Sequence, residues 1–352
     1  MTRSMKSAPR GLLATLLALT ATLTIAATSQ AAGLPRIGGS WAAVPAFPSD
    51  VAPMTVTSGA DGHIYLFGFC QGTCDQVGGP VAYGAPVTEI YDPSTSTWTA
   101  GKGAPASCAG AMASAVDANG MVHLAGCWRD IVSNPGFREA VYDPTAATWT
   151  MEFGHGPYAD PIGGMAGPNG QIEWFSEILE KQGTAVFTVG YQVLVETDGL
   201  WFSGTGVPST APSDTAVLGR DGRVYAVGGS RDCQPEFGTC AVPAVQAYQP
   251  TTNSWRQVTS LPTPRIRVAA ATDSRGRIFT MGGLAGDAHT LYATVQVYRP
   301  HTRTWAKAAP LPSARMAALA TATPDGRVWL LGGYDAFGNP LADGVVFTPA
   351  AP

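Results

Sequence analysis

The sequence predicts an all-β chain built from six repeats of one four-stranded unit, and three observations carry that expectation. Tryptophan keeps a register: Trp98, Trp149, Trp201, Trp255 and Trp305 follow one another at intervals of 51, 52, 54 and 50 residues, and Trp41 precedes Trp98 by 57. A turn glycine recurs at Gly62, Gly120, Gly170, Gly222, Gly276 and Gly326. An aromatic residue or leucine stands seven residues before each of the last five tryptophans, at Tyr91, Tyr142, Leu194, Tyr248 and Tyr298. Self-similarity at a period near 50 residues signals a repeat architecture. The 352 residues are therefore read as one domain, 32–352, behind an N-terminal segment, 1–31.

The unit is clearest between Arg265 and Trp305. Val268 to Thr272 is a small apolar strand that a turn at Asp273 to Gly276 reverses into Ile278 to Met281, where the doublet Gly282-Gly283 ends pairing. A loop leads to a third strand alternating through Val295, Val297 and Tyr298, which Pro300 breaks, and Trp305 opens the fourth. Period, doublets (Gly228-Gly229, Gly282-Gly283, Gly332-Gly333), tyrosine and tryptophan together resemble the kelch family. That resemblance implies a β-propeller, four-stranded blades set radially around a channel. It leaves function open, because propellers host unrelated activities.

Taken in order, residues 1–31 read as a secretory signal: Arg3, Lys6 and Arg10, the apolar run Leu12 to Ala27, then small residues around Ser29 to Ala31. Trp41 has no strands before it, while the last repeat, Ala317 to Phe347, has three strands and no tryptophan after it. The segment around Ser40 to Val44 is therefore expected to become the outer strand of the last blade and close a six-bladed ring, leaving no frayed edge. Blade one, Met54 to Trp98, is followed after its second strand by a long glycine-rich loop, and blade two, Ala111 to Trp149, carries Trp128, Arg129 and Asp130 in the corresponding loop. Blade three, Gly163 to Trp201, is degenerate: Ser176-Glu177 replaces the doublet. Blades four to six return to the pattern, with small inner-strand residues such as Ala269 to Ala271 where the strands converge on the axis.

Charge and cysteines bound the setting. Loss of the three basic residues of the leader takes the formal charge from −4 to −7, which argues against nucleic acid as a partner. No other apolar span reaches bilayer length, so a secreted or periplasmic, monomeric protein without a membrane span is expected. Six cysteines suit an oxidising compartment. Cys70 and Cys74 share one loop and Cys233 and Cys240 the equivalent loop of blade four, which leaves Cys108 for Cys127. Zinc is the weaker reading, since no histidines flank those pairs.

Chemistry is expected where the loop entering each first strand meets the loop leaving each second strand. That face should collect Asp50, Cys108, Asp160, Arg265 and Arg315 with Phe69, Trp128, Arg129, Glu177, Asp232, Asp287 and Tyr334. Arginine supplies a planar fork and aromatics stack, so Arg265, Arg315, Trp128, Arg129, Asp160 and Tyr334 are candidate ligand-binding residues for a carbohydrate or a protein. Glu177 is the candidate acid-base group of an alternative small-sugar enzyme. A likeness in architecture to sialic acid mutarotases implies such a pairing with Arg265 or Arg315. The same arginines could instead bond neighbouring loops. The copper set of galactose oxidase is not matched by His63, His123, His155, His289 and His301, and no cofactor or metal is expected. The leading expectation is a noncatalytic binding module.

Overall fold

The computed structural model describes residues 33–48, 50–70, 85–108, 113–126, 139–152, 159–166, 172–182, 185–197, 200–203, 215–232, 239–287 and 289–350. In chain order, β1 (Gly39–Val44) is followed by a first sheet of β2 (Val51–Ser58), β3 (Ile64–Cys70), β4 (Pro86–Asp92) and β5 (Thr97–Ala100). The second comprises β6 (Ala113–Val116), β7 (Val122–Ala125), β8 (Glu139–Asp143) and β9 (Thr148–Glu152). The third comprises β10 (Ala159–Ala166), β11 (Ile172–Gln182), β12 (Ala185–Thr197) and β13 (Leu200–Ser203). In the fourth, β14 (Ala216–Leu218) and β15 (Val224–Val227) are separated by a small hairpin, β16 (Ser230–Asp232) and β17 (Thr239–Ala241), from β18 (Ala244–Gln249) and β19 (Ser254–Ser260). The fifth comprises β20 (Ala269–Thr272), β21 (Ile278–Met281), β22 (Val295–Arg299) and β23 (Thr304–Lys307). In the last, β24 (Leu319–Ala322), β25 (Val328–Leu331) and β26 (Gly344–Pro349) are completed by β1, with Trp41 opposite Phe347.

The first strand of each sheet lies innermost, and these strands neighbour one another in a closed circuit, β2, β6, β10, β14, β20, β24 and back to β2. The expectation of a six-bladed kelch ring is nevertheless corrected to five blades, which keep the numbers of their sheets in chain order, one, two, four, five and six. The sheet of β10 to β13 occupies a place in the circuit without the kelch build. In the regular blades five and six a glycine doublet takes positive φ, 66° and 95° at Gly282 and Gly283 and 62° and 91° at Gly332 and Gly333, and pairing stops there. Where the third sheet has Ser176-Glu177, no glycine doublet stops the pairing, and a bulge between Ile178 and Leu179 is all that interrupts its register. Pairing runs on from Trp174↔Leu194 to Gln182↔Ala185, so the hairpin of β11 and β12 grows to strands of 11 and 13 residues against 4 and 5 in blade five.

The core consists of slabs between blades. Phe279, Met281 and Val297 of blade five pack with Val328, Leu330 and Phe347 of blade six, and Trp329, Leu331 and Val346 pack in turn with Val56, Ile64 and Leu66 of blade one. Each such side chain contributes roughly 1.5–3 kcal/mol on burial. Four of the tryptophans add a directional contact from an outer strand to the outer strand or connection of the preceding blade. Trp41 Nε1 donates to Ala309 O at 2.8 Å, Trp98 to Pro45 O at 2.8 Å, Trp149 to Lys102 O at 2.9 Å and Trp305 to Thr259 Oγ1 at 3.0 Å. That explains why the tryptophan keeps its register while its neighbours vary. The N-terminal segment also touches two blades, since Ile37 N and Lys307 N exchange hydrogen bonds with Lys307 O and Pro35 O before β1 joins blade six.

Among the described cysteines Cys70, Cys108 and Cys240, none is a free thiol. Cys74, Cys127 and Cys233 lie outside the described residues, and the expected pairings with them. Among the described residues no helix is long and apolar enough to cross a membrane.

Candidate functional site

The inner strands enclose a central cavity of about 750 Å³, lined mostly by small side chains such as Ala113, Ala269 and Ala320, with Arg267 and Arg220 as the charged side chains among the described lining residues. Arg267 precedes β20 at one mouth, and Arg220 follows β14 at the other. At the Arg267 mouth the chain enters the inner strands of blades five and six through non-glycine residues at positive φ, Arg267 at 52° and Ala317 at 50°, and Ala317 N donates to Arg267 O at 2.9 Å.

Just outside this mouth, the loops leaving β21 and β25 are folded stubs held by their own hydrogen bonds. In blade five Leu284 bridges to Ile266 and Leu291. Asp287 accepts from His289 N and Thr290 N, each at 2.9 Å, and from Thr290 Oγ1 at 2.6 Å. These donors, the Thr290 hydroxyl foremost, hold the Asp287 carboxyl down at about 2. In blade six Tyr334 bridges to Met316 and Pro340. Asp335 accepts from Phe337 N and Asn339 N, each at 2.8 Å, and from Asn339 Nδ2 at 2.9 Å, which lowers its pKa below the ordinary aspartate value. This turn holds Phe337 out at 88% exposure, with Tyr334 beside it at 44%.

Beneath the loops lie the two repeat arginines, facing inward. Arg265 is 0% exposed: Nη1 donates to Gly282 O at 2.8 Å and Thr294 O at 3.2 Å, Nη2 to Thr294 Oγ1 at 3.0 Å, and Nε to Thr263 O at 3.3 Å. Its guanidinium stacks over Tyr292, 4.7 Å from the ring centroid. Burial without a carboxylate pushes its pKa down to about 10. Arg315 is 1% exposed and repeats the Nη1 bond, to Gly332 O at 3.0 Å, but adds the Asp343 carboxylate at 2.9 Å from Nη2 and Ser313 Oγ at 2.7 Å. Both guanidiniums thus join the loop entering the first strand to the end of the second. The doublet glycines receive the following blade: a Cβ on Gly228 would stand 2.9 Å from Arg265 O, and Gly283 N donates to Arg315 O at 2.9 Å.

The remaining candidates are spread around the ring. Asp160 and Glu177 are register partners on β10 and β11, so the backbone does bring these two carboxylate residues side by side. Trp128 and Arg129 lie outside the described residues. Tyr334 is on the face. Phe337 went unread in the sequence, although its setting, Asp335 to Asn339 with a glycine, is a turn that puts an apolar side chain at its tip. Among the described residues no three His, Cys, Asp or Glu side chains converge to hold a metal ion.

Comparison with known proteins agrees with the architecture. The Kelch motif matches residues 211–262, which contain all four strands of blade four. Over 66 residues, 19% of this chain, the sequence is 39% identical to the Kelch repeat and BTB domain-containing protein 13 of Homo sapiens, a match that spans 13% of that protein's length. The structure superposes on a novel fungal alcohol oxidase of the AA5 family, solved in complex with copper, with a TM-score of 0.56 and 14% identity over 88% of this chain and 76% of the other. At that identity the likeness shows the fold alone. Sheet order, inward arginines and glycine doublets make this chain a β-propeller with kelch-type blades, and the Kelch motif is matched in blade four.

Proposed function

We propose that this propeller is a protein-binding module whose partner docks on the face around the blade-six loop, anchored by Phe337 and Tyr334. One observation carries the reading. Leu284 and Tyr334 occupy the same place in successive blades, yet Leu284 is 7% exposed, packed with Ile266 and Leu291 and against Met316, whereas Tyr334 and the neighbouring Phe337 stand open. Exposed aromatics held on a rigid turn are what an interface centre uses: large apolar area with little side-chain freedom left to lose. Arg265 and Arg315 serve as brackets that hold the loops, and the partner meets aromatic side chains instead.

The reading includes export. The basic, apolar and small-residue tracts of 1–31 support a removed leader and a secreted or periplasmic mature protein. Such a compartment supports the pairs Cys70 with Cys74, Cys108 with Cys127 and Cys233 with Cys240. Intact-mass and non-reducing peptide analysis of the exported protein would check both, and an uncleaved mass or a different connectivity would refute them.

The docking surface is tested by photo-crosslinking. A benzoylphenylalanine at position 337 should capture a discrete protein partner, and one at position 302, in the turn between β22 and β23 at the opposite face, should not. Phe337→Ser with Tyr334→Ser should abolish capture with the melting temperature unchanged. Capture that survives the double variant, or saturable binding of a free sugar in place of a protein, would overturn the assignment.

A further inference from the structure

One cluster of titratable side chains lies away from the binding face, between β7 and β8 of blade two. His123 on β7 is partly buried, with 14% of its side chain exposed, and Glu139 on β8 is buried. His123 Nδ1 makes a short contact with Glu139 Oε1, while its Nε2 lies 3.6 Å from Asp117 Oδ2, an ion-pair distance. Asp117 is fixed in the turn between β6 and β7, where it accepts from Asn119 N at 2.9 Å and Met121 N at 2.8 Å. Glu139 has a second bond, and it leaves the blade: its Oε2 accepts from Nε1 of the fully buried Trp174 at 3.3 Å. Trp174 lies on β11, in the sheet that departs from the kelch build, packed over Gly164 of the inner strand β10, where any side chain would collide with the indole.

We infer that His123 is a proton-operated latch that holds the divergent sheet of β10 to β13 against blade two through Glu139 and Trp174. With the imidazole protonated, the Glu139 carboxylate that receives the Trp174 N–H has a cation beside it, and Asp117 balances the other edge of the ring. With the imidazole neutral, the same buried carboxylate remains without its counter-charge, and a buried anion so exposed is destabilising. The charged groups facing the ring among the described residues are Asp117 from the turn and Glu139 from β8, and β11 contributes the neutral indole.

The direction of the titration agrees. Burial opposes charge on His123, but the hydrogen bond and charge of Glu139 and the charge of Asp117 outweigh it and raise its pKa above 6.5. A raised folded pKa means that the added stability is fully present below the unfolded value and is lost as pH rises through the folded one. The latch is closed in acid and loosens toward alkaline pH.

Hydrogen exchange, corrected for the intrinsic pH dependence of the chemical rate, tests this between pH 5.5 and 8.5. Protection in β10 to β13 should fall as pH rises, by roughly tenfold for each pKa unit of elevation, while β20 to β25 stay level. His123→Gln should remove that slope. Trp174→Phe should leave the His123 titration in place and uncouple it from β10 to β13, which a purely local role for the histidine would not do. A slope shared equally by all blades, or one that persists in His123→Gln, overturns the proposal. Should that variant fail to fold, the NMR titration of the His123 ring in the unaltered protein decides: a midpoint above 6.5 supports the latch, and one at or below it refutes it.

Discussion

Blades five and six are near copies in backbone, and they spend the same positions differently. In blade five the loop after the second strand closes on itself, with Leu284 buried and the guanidinium of Arg265 satisfied by carbonyls, a hydroxyl and the face of Tyr292. In blade six the loop is equally ordered but open: Tyr334 and Phe337 face solvent, and Arg315 takes its second partner from the carboxylate of Asp343. The arginine position therefore requires the geometry of a planar fork, not a fixed charge partner. The loop position beside it is free to be core in one blade and surface in the next.

That contrast can be broken most severely at Arg265. Arg265→Ala strands the Gly282 carbonyl and the Thr294 hydroxyl and should cost about 3–5 kcal/mol in chemical denaturation, given 1–3 kcal/mol for each buried polar group left unpaired. Arg265→Lys should recover only part, because an ammonium cannot span both carbonyls and the hydroxyl. Next comes Leu284→Ala, expected at about 2–3 kcal/mol for a buried leucine. Tyr334→Ala, the same position in blade six, should stay within about 0.5 kcal/mol as a surface change. If the two cost the same, the distinction between closed and open loops is wrong.

Smaller effects sharpen it further. Asp343→Asn removes a pair whose carboxylate is half exposed, so about 1 kcal/mol or less is expected, diminishing with added salt. Acid should loosen the blade-five loop through Asp287. Its pKa is depressed, so its contribution is present above the unfolded value of 3.8 and is lost as pH falls toward about 2. Amide shifts of His289 and Thr290 would follow that titration, and their constancy down to pH 2 would count against the hydrogen-bonded turn.

Much of the architecture was legible because it is written at short range and repeated. Trp41 shows this best: alone of its kind without strands before it, it could only complete a blade begun at the other end of the chain, and it stands opposite Phe347. The missing doublet at Ser176-Glu177 was equally visible, but its consequence was not. Pairing that is not stopped continues, so the third sheet departs from its neighbours. At the face Arg265 and Arg315 point inward and bond neighbouring loops, one of the two roles the sequence left open for them, while Phe337, unread, points out.

What the sequence alone determined is the all-β class, the blade period, the turns and the return of the N-terminus, because hydrophobic alternation, glycine at positive φ and tryptophan spacing act over a few residues and recur. Tertiary structure decided which way a given side chain looks and what it meets. Burial of Arg265 depends on carbonyls 17 and 29 residues away. The environment of Glu139 depends on Trp174, 35 residues off in another sheet. Such contacts are set by how sheets pack, and no local pattern records them.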